Sequence, residues 1–350
     1  MRASLRRVLI ALLALSLAGP AAADVLRRLH LAEAAAPERL RLRVQGAALS
    51  SGQLPPFALP RMRAEMVRQG YYFTGGPPAL VARELVLAPL LAWDGNINGG
   101  VLQDRFVFDG LVFEAAPEAR AKPGLVGGAQ ASGMARLAWD TGRLIDLRGG
   151  LDLGWSPEHR ISRADARLGV CSQNHLTGWT FLDLCASGAR YWRDLTEGTA
   201  TEISVEAVQI VTNAGSAHQF GARLIRASGG AGGQNRLALS AESVWSRLAT
   251  RGTVTLGAPS TDRTVLRYRL EGGITWLALG RAFSLDLSRQ VLDGGAFLGI
   301  PRRDEVHALA LSSQLRPGAT LRIGILDSSS TAGIANYSQV TLDLRLTRWR

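Results

Sequence analysis

Catalytic or metal chemistry would have to draw on five histidines (His30, His159, His175, His218 and His307) and two cysteines, Cys171 and Cys185. The histidines are scattered, and no pair has the spacing that sets two imidazoles on one helix face to hold a metal. His307 shares a stretch with Ser312 and Ser313, but nothing around them marks a nucleophile, and a triad is defined by geometry alone. The expectation is a protein that is not an enzyme and carries no cofactor or metal. Gly75-Gly-Pro-Pro78 and residues 229–233 are glycine-rich, yet they lack the Lys-Ser/Thr of a phosphate loop and open no helix. Between the cysteines, Asn174, Thr177 and Gly178 suit a hairpin turn that would bring the sulfurs opposite each other. An exported chain meets an oxidising compartment, which favours a disulfide ahead of free buried thiols or a metal.

Charge in alternation is the stronger chemical pattern. In residues 143–155, Ile145, Leu147, Leu151, Leu153 and Trp155 alternate with Asp146, Arg148 and Asp152. Successive strand side chains point to opposite faces, so one face is apolar and the other charged. Leu266, Tyr268, Leu270 and Trp276 alternate with Arg267, Arg269 and Glu271; Leu285 and Leu287 flank Asp286; Leu342 and Leu344 interleave with Asp343 and Arg345. Burying so many charges in a sandwich core is expensive, whereas lining water is not. The pattern predicts a barrel whose apolar face meets lipid and whose lumen is lined by Asp146, Arg148, Asp152, Arg267, Arg269, Glu271, Asp286, Arg322, Asp343 and Arg345. These charges either guide a solute by electrostatic focusing or pair across strands to fill a closed lumen.

Composition fits that class. The chain has 350 residues, 47% of them hydrophobic, with 39 glycines. No apolar run is long enough for a membrane helix. Residues 1–23 have the form of a secretory signal peptide: Arg2, Arg6 and Arg7, an apolar stretch from Val8 to Leu17, and Ala21-Ala22-Ala23 before Asp24. The formal charge is +11, or +8 once the three leader arginines are removed. A basic excess can mark a nucleic-acid binder, but export argues against that and for anionic head groups and interior arginines.

The elements that would hold these charges follow in order. Residues 24–83 form a short periplasmic or plug-like segment, with a helix around 27–36 stopped at Pro37, a turn of helix or a strand over 38–44, and a helix near 61–69 ended by Gly70. It would plug the lumen, cross the periplasmic mouth, lie on the membrane surface or stay a loose leader. Residues 84–350 form the barrel. Strands are expected near 84–94, 104–114, 125–139, 143–155, 163–171, 179–192, 200–212, 217–228, 234–247, 262–277, 280–289, 304–314, 319–327 and 337–348. Residues 251–258 are assigned to a loop, because an even strand count suits a bacterial barrel. The fold class is all-β: a transmembrane antiparallel up-and-down barrel of about 14 strands. Trp93, Trp139, Trp155, Trp179, Trp192 and Trp276 fall near strand ends, as interfacial girdles do. A porin would need a long constriction loop, for which 292–303 and 247–263 are the candidates.

The opening Leu87-Ala-Pro-Leu-Leu-Ala-Trp-Asp-Gly-Asn-Ile-Asn-Gly-Gly100 resembles the first strand and Asn-x-Asn turn of the barrel domain of the surface lipoprotein assembly modifier family, with Asn96 and Asn98 in the turn. The cysteine-bracketed hairpin with Gly178-Trp179, Arg303-Asp304, and the run from Ser328 to Asn336 and Tyr337 before a final strand agree with it. The similarity covers about residues 71–350. It implies a bacterial outer-membrane barrel that assists translocation or surface display of a lipoprotein cargo, with outer-membrane lipid around it and a separate periplasmic partner. The family's helical-repeat domain has no counterpart between Asp24 and Gly70, a stretch too short for tandem repeats of roughly 34 residues. The alternatives are a porin-like passive channel for small solutes and a closed structural or adhesive barrel. Asn96 and Asn98 either bind at the rim or serve only the turn.

Overall fold

The computed structural model describes residues 22–350 apart from 109, 214, 231, 298, 317–318, 333–335 and 347–350. Nearly all of the expected leader, and the terminal Trp349, lie outside the described residues. Three helices come first: α1 (Ala22–Ala35), α2 (Glu38–Ser50) and α3 (Leu59–Arg68). Pro37 separates α1 from α2, since its ring fixes the backbone and removes a donor. In 39–44, arginines at 39, 41 and 43 alternate with Leu40, Leu42 and Val44, a two-residue period that left helix and strand unresolved. The segment is helical, and its i, i+4 spacing puts Leu40, Val44 and Ala48 into one buried cluster.

Fourteen strands then close an antiparallel barrel, each beside its sequence neighbour in it. They are β1 (Ala79–Asp94), β4 (Gly124–Asp140), β5 (Arg143–Ser156), β6 (Ile161–Thr177), β7 (Thr180–Trp192), β8 (Glu197–Asn213), β9 (Ser216–Gly229), β10 (Gly232–Val244), β11 (Leu248–Gly257), β12 (Val265–Ala278), β13 (Arg281–Phe297), β14 (Ile300–Arg316), β15 (Ala319–Ser330) and β16 (Tyr337–Leu346). A separate two-stranded hairpin, β2 (Arg105–Phe108) and β3 (Leu111–Glu114), stands outside it.

Four expectations are corrected here. Residues 104–114 are not a wall strand, because Phe108 pairs with Leu111 and the stretch folds back on itself as that hairpin. Residues 251–258 are not a loop, because most of them belong to β11, which pairs with β10 and β12 over its length. The barrel begins at Ala79 rather than at 84. Most of 292–303 and 247–263 is strand, so neither is a constriction loop.

Among the described residues, one end of the barrel has tight turns, such as Asp140-Thr141-Gly142 and Gly178-Trp179, and the helices lie there. Gly142 takes a φ of +68°, and a Cβ would stand 2.9 Å from the Cβ of His175, so both conformation and space call for glycine. Short turns mark the periplasmic end of such barrels, and longer loops the outer one. The longest connection, residues 95–123, is at the opposite end. Ile97 from it is fully buried against Val126, Ile161 and Leu90, and Leu195 donates its N–H to the Asn98 carbonyl, so this loop folds across the outer mouth.

The outer wall is apolar. Leu147, Leu151, Leu153 and Trp155 on β5, Ile203 and Val205 on β8, Leu224 on β9, Leu309 and Leu311 on β14, and Leu342 on β16 are all exposed. An apolar surface of this extent on a closed barrel is stable only against lipid.

Candidate functional site: the lumen and its helical plug

The helices seat in the periplasmic mouth through an apolar cluster and two charged clamps. Leu31, Leu40 and Val44 meet Phe181, Val208, Ile210, Ala217, Val244 and Ala249, all from strand ends at the short turns. Each large apolar side chain fully buried there contributes about 1.5–3 kcal/mol.

In the first clamp the Arg39 guanidinium donates to both carboxylate oxygens of Asp183, each at 2.8 Å, and packs 4.3 Å from the Phe181 ring centroid. One helix turn on, Arg43 donates to the Thr212 hydroxyl at 2.8 Å and lies over Trp179. In the second clamp Arg136 of β4 is 1% exposed and donates to Asp146 of β5 at 2.5 and 2.8 Å. It also donates to the Glu38 carboxylate at 2.6 Å and to the Arg68 carbonyl at 3.3 Å. Arg136 and Asp146 are directly opposed in the strand register, which is why they meet. Arg68 and Gln69 add donors to Glu38 at 3.1 and 2.8 Å. Burial works against charge on Glu38, but Arg136, Arg68 and Arg41 outweigh it and hold this carboxyl below its usual range.

Above the plug, toward the outer mouth, the lumen holds a cavity of about 880 Å³. Arg148, Arg167, Arg223, Arg236 and Arg269 line it, against only two carboxylates, Asp146 and Glu202. Glu202 pairs with Arg223, and Asp146 with Arg148 at 2.9 Å. A second cavity of about 360 Å³ gathers Glu271, Asp286 and Arg322 with Arg251, whose guanidinium pairs with Asp286 at 2.5 Å.

The expected lumen residues therefore divide. Asp146, Arg148 and Arg269 line the larger cavity, and Glu271, Asp286 and Arg322 the smaller. Asp152 faces Arg167 at 3.8 Å. Asp343 stands opposite Arg322 in the register, and Arg345 opposite Leu90, though the Arg345 side chain lies outside the description. Arg267 sits at a bulge between Leu266 and Tyr268, and its Nη1 is buried with no hydrogen-bond partner among the described residues. Arg136, Arg167, Arg223 and Arg236 were not in the expected set. The signal for them was their phase: Arg223 alternates with Phe220, Ala222 and Leu224 much as Arg148 does with its apolar neighbours.

Asn96 and Asn98 serve the turn and its loop. The Asn96 side chain donates to the Gly100 carbonyl at 2.7 Å, and its Oδ1 accepts the Gly100 N–H at 2.8 Å. Asn98, fully buried, donates to the Arg120 carbonyl at 2.8 Å and accepts from the Lys122 N–H at 2.9 Å. Just below, Asp94 accepts from Arg163 and Arg193, tying β1 to β6 and to the β7–β8 turn. Cys171 and Cys185 oppose each other across β6 and β7 and form a disulfide, with a Cα–Cα distance of 4.1 Å. Both line the larger cavity. His307 pairs with Glu305 at 2.9 Å rather than with Ser312 or Ser313.

No family model matches the chain, and no curated protein is similar to it. Among solved structures, OccAB4 from Acinetobacter baumannii is similar with a TM-score of 0.40 and 7% identity, over 79% of this chain and 99% of that one. The outer membrane protein OprD from Pseudomonas aeruginosa has a TM-score of 0.39 and 10% identity, over 79% and 95%. A KdgM porin has 0.32 and 15%, over 53% and 93%. Likeness at this level is one of barrel architecture and says nothing of solute. What the wall itself requires is lipid outside and water within, and in a closed antiparallel barrel that makes the chain a protein of the bacterial outer membrane.

Proposed function

We propose that the chain is a porin-like passage for small anionic solutes, held shut at the periplasmic mouth by its N-terminal helices. The observation that carries this is the wall of the larger cavity, where five arginines face two carboxylates. Positive side chains on a low-dielectric wall raise the local concentration of anions and repel cations. The loop across the outer mouth narrows entry, and the Arg39–Asp183 and Arg136–Glu38 clamps hold the helices.

Planar-bilayer recordings under a KCl gradient test it, using the chain from Asp24 onward, the Arg39→Ala variant, and a form lacking residues 24–70. Rare openings in the first, more frequent ones in the second and steady anion-selective steps in the third are expected. Cation selectivity, or silence in all three, would overturn the reading.

A second reading, assistance to a lipoprotein or other protein cargo, is favoured by one observation. Among the described residues, β1 and β16 share four register pairs, Leu90 to Trp93, whereas β1 and β4 share fifteen. A short seam is where a barrel could part sideways. Leu91 and Leu344 oppose each other there. A disulfide engineered between L91C and L344C should block display of a co-expressed surface lipoprotein and leave conductance unchanged. Unchanged display sinks this second reading.

A further inference from the structure

Within the larger cavity, two arginines are held differently from the rest. Arg236 of β10 donates its Nε to the Gln234 Oε1 at 2.8 Å. Arg269 of β12 donates its Nε and Nη2 to the Gln290 Oε1 at 3.1 and 2.8 Å. Neither has a carboxylate within ion-pair distance among the described residues. By contrast Arg148, Arg167 and Arg223 each have one.

Gln234 is built to do this. It is 7% exposed, and its Nε2 donates to the Ala258 and Leu266 carbonyls at 2.8 and 2.6 Å. Its amide is therefore fixed with the oxygen toward Arg236. A guanidinium oriented by a neutral amide keeps its full charge. The Nη nitrogens of Arg236, and Nη1 of Arg269, remain for another acceptor, and a carboxylate fits the guanidinium fork.

Both side chains face the lumen from strands one apart, since Arg269 opposes Thr255 of β11 and Thr255 opposes Ala238, the next same-face residue after Arg236. Two interstrand spacings and a two-residue offset separate their backbones by about 12 Å. The two side chains reach the same cavity from separate strands, so each guanidinium fork can take its own acidic group on a short spine. Val265, Leu266 and Leu292 line the same cavity and supply apolar contact for the spine.

We propose that Arg236 and Arg269, oriented by Gln234 and Gln290, form a two-point site for a small organic dicarboxylate. The assignment rests on the passage reading, because it supplies that passage with a solute class.

The test is titration of the full mature chain in detergent, followed by saturation-transfer NMR, with glutarate, its mono-amide glutaramate, and inorganic phosphate as probes. Glutarate is expected to saturate, with glutaramate at least tenfold weaker and phosphate unable to displace glutarate at equal concentration. Arg236→Gln and Arg269→Gln should each weaken glutarate at least tenfold, and Arg281→Gln, at an exposed strand end, should not. Gln234→Glu keeps the side-chain volume and gives Arg236 a carboxylate of its own; it should also weaken glutarate at least tenfold. Equal binding of glutarate and glutaramate, displacement by phosphate, or full binding by Gln234→Glu would each overturn the site. Anion-selective conductance surviving such a result would leave the passage standing, and glutarate binding without conductance would remove the passage and keep the site.

Discussion

The periplasmic clamp and the cavity wall use the same residue for opposite ends. Arg136 is buried and met on its fork by Asp146 and Glu38, so its charge is cancelled where it stands. Among the described residues, Arg236 is met by the amide of Gln234 and by no carboxylate, so its charge faces the lumen. An arginine matched by carboxylates holds parts of a structure together; one matched by an amide is oriented for something that is not part of the chain. The partner, more than the arginine, separates fastening from function.

The largest expected effect separates the two regions directly. Arg136→Ala leaves the buried Asp146 carboxylate to Arg148 alone among cations and takes the nearest cation from Glu38, so it should cost about 3 kcal/mol, the low end for a broken buried pair. Arg236→Ala leaves a neutral amide behind and should cost about 1 kcal/mol. Denaturant midpoints of the refolded barrel check the pair, and equal losses would break the comparison. Outside the lumen, Leu151→Arg places a charge on the lipid wall and should cost about 2–4 kcal/mol if the residue lies near the membrane midplane. A cost near zero would mean that this face is not against lipid.

A smaller effect is expected in the helix clamp. Asp183→Asn replaces a two-point charged contact to Arg39 by a neutral one and should weaken the seating of α2 by about 1.5–3 kcal/mol. Faster amide exchange in α2 with unchanged exchange in the barrel strands is the expected signature. The smallest is a pH dependence. Glu38 is more acidic in the folded plug than when free, so its contribution is complete above the ordinary carboxylate range and disappears as pH falls through the lowered value. Openings in a bilayer should become more frequent as the periplasmic side is taken below about pH 4, and Glu38→Gln should remove that dependence. An unchanged pH response in the variant would assign it to another group.

The alternation in 143–155 already divided the wall from the lumen, because a strand has only two faces and a side chain's phase is fixed by its position. Leu147, Leu151 and Leu153 face out and Asp146, Arg148 and Asp152 face in, as that phase requires. The strand total of 14 agrees with the sequence expectation because two departures cancel: 104–114 is a separate hairpin, and most of 251–258 belongs to β11. The first comes from Gly110, whose φ of +75° turns the chain back between Phe108 and Leu111 inside an apolar run. The second arose because Thr250 and Gly252 dilute the lipid face of β11 until its alternation fades.

Taken alone, the sequence determined the class of fold and the two faces of its strands, since both follow from local period, and it favoured a disulfide that the register Cys171↔Cys185 then makes. Only the tertiary structure decided that residues 39–44 are helical, because the contacts of Leu40 and Val44 with distant strand ends outweigh a strand-like alternation. It alone decided which arginines are cancelled. Glu38 and Arg136 are 98 residues apart, and no local pattern encodes a contact made by closing a barrel around a helix.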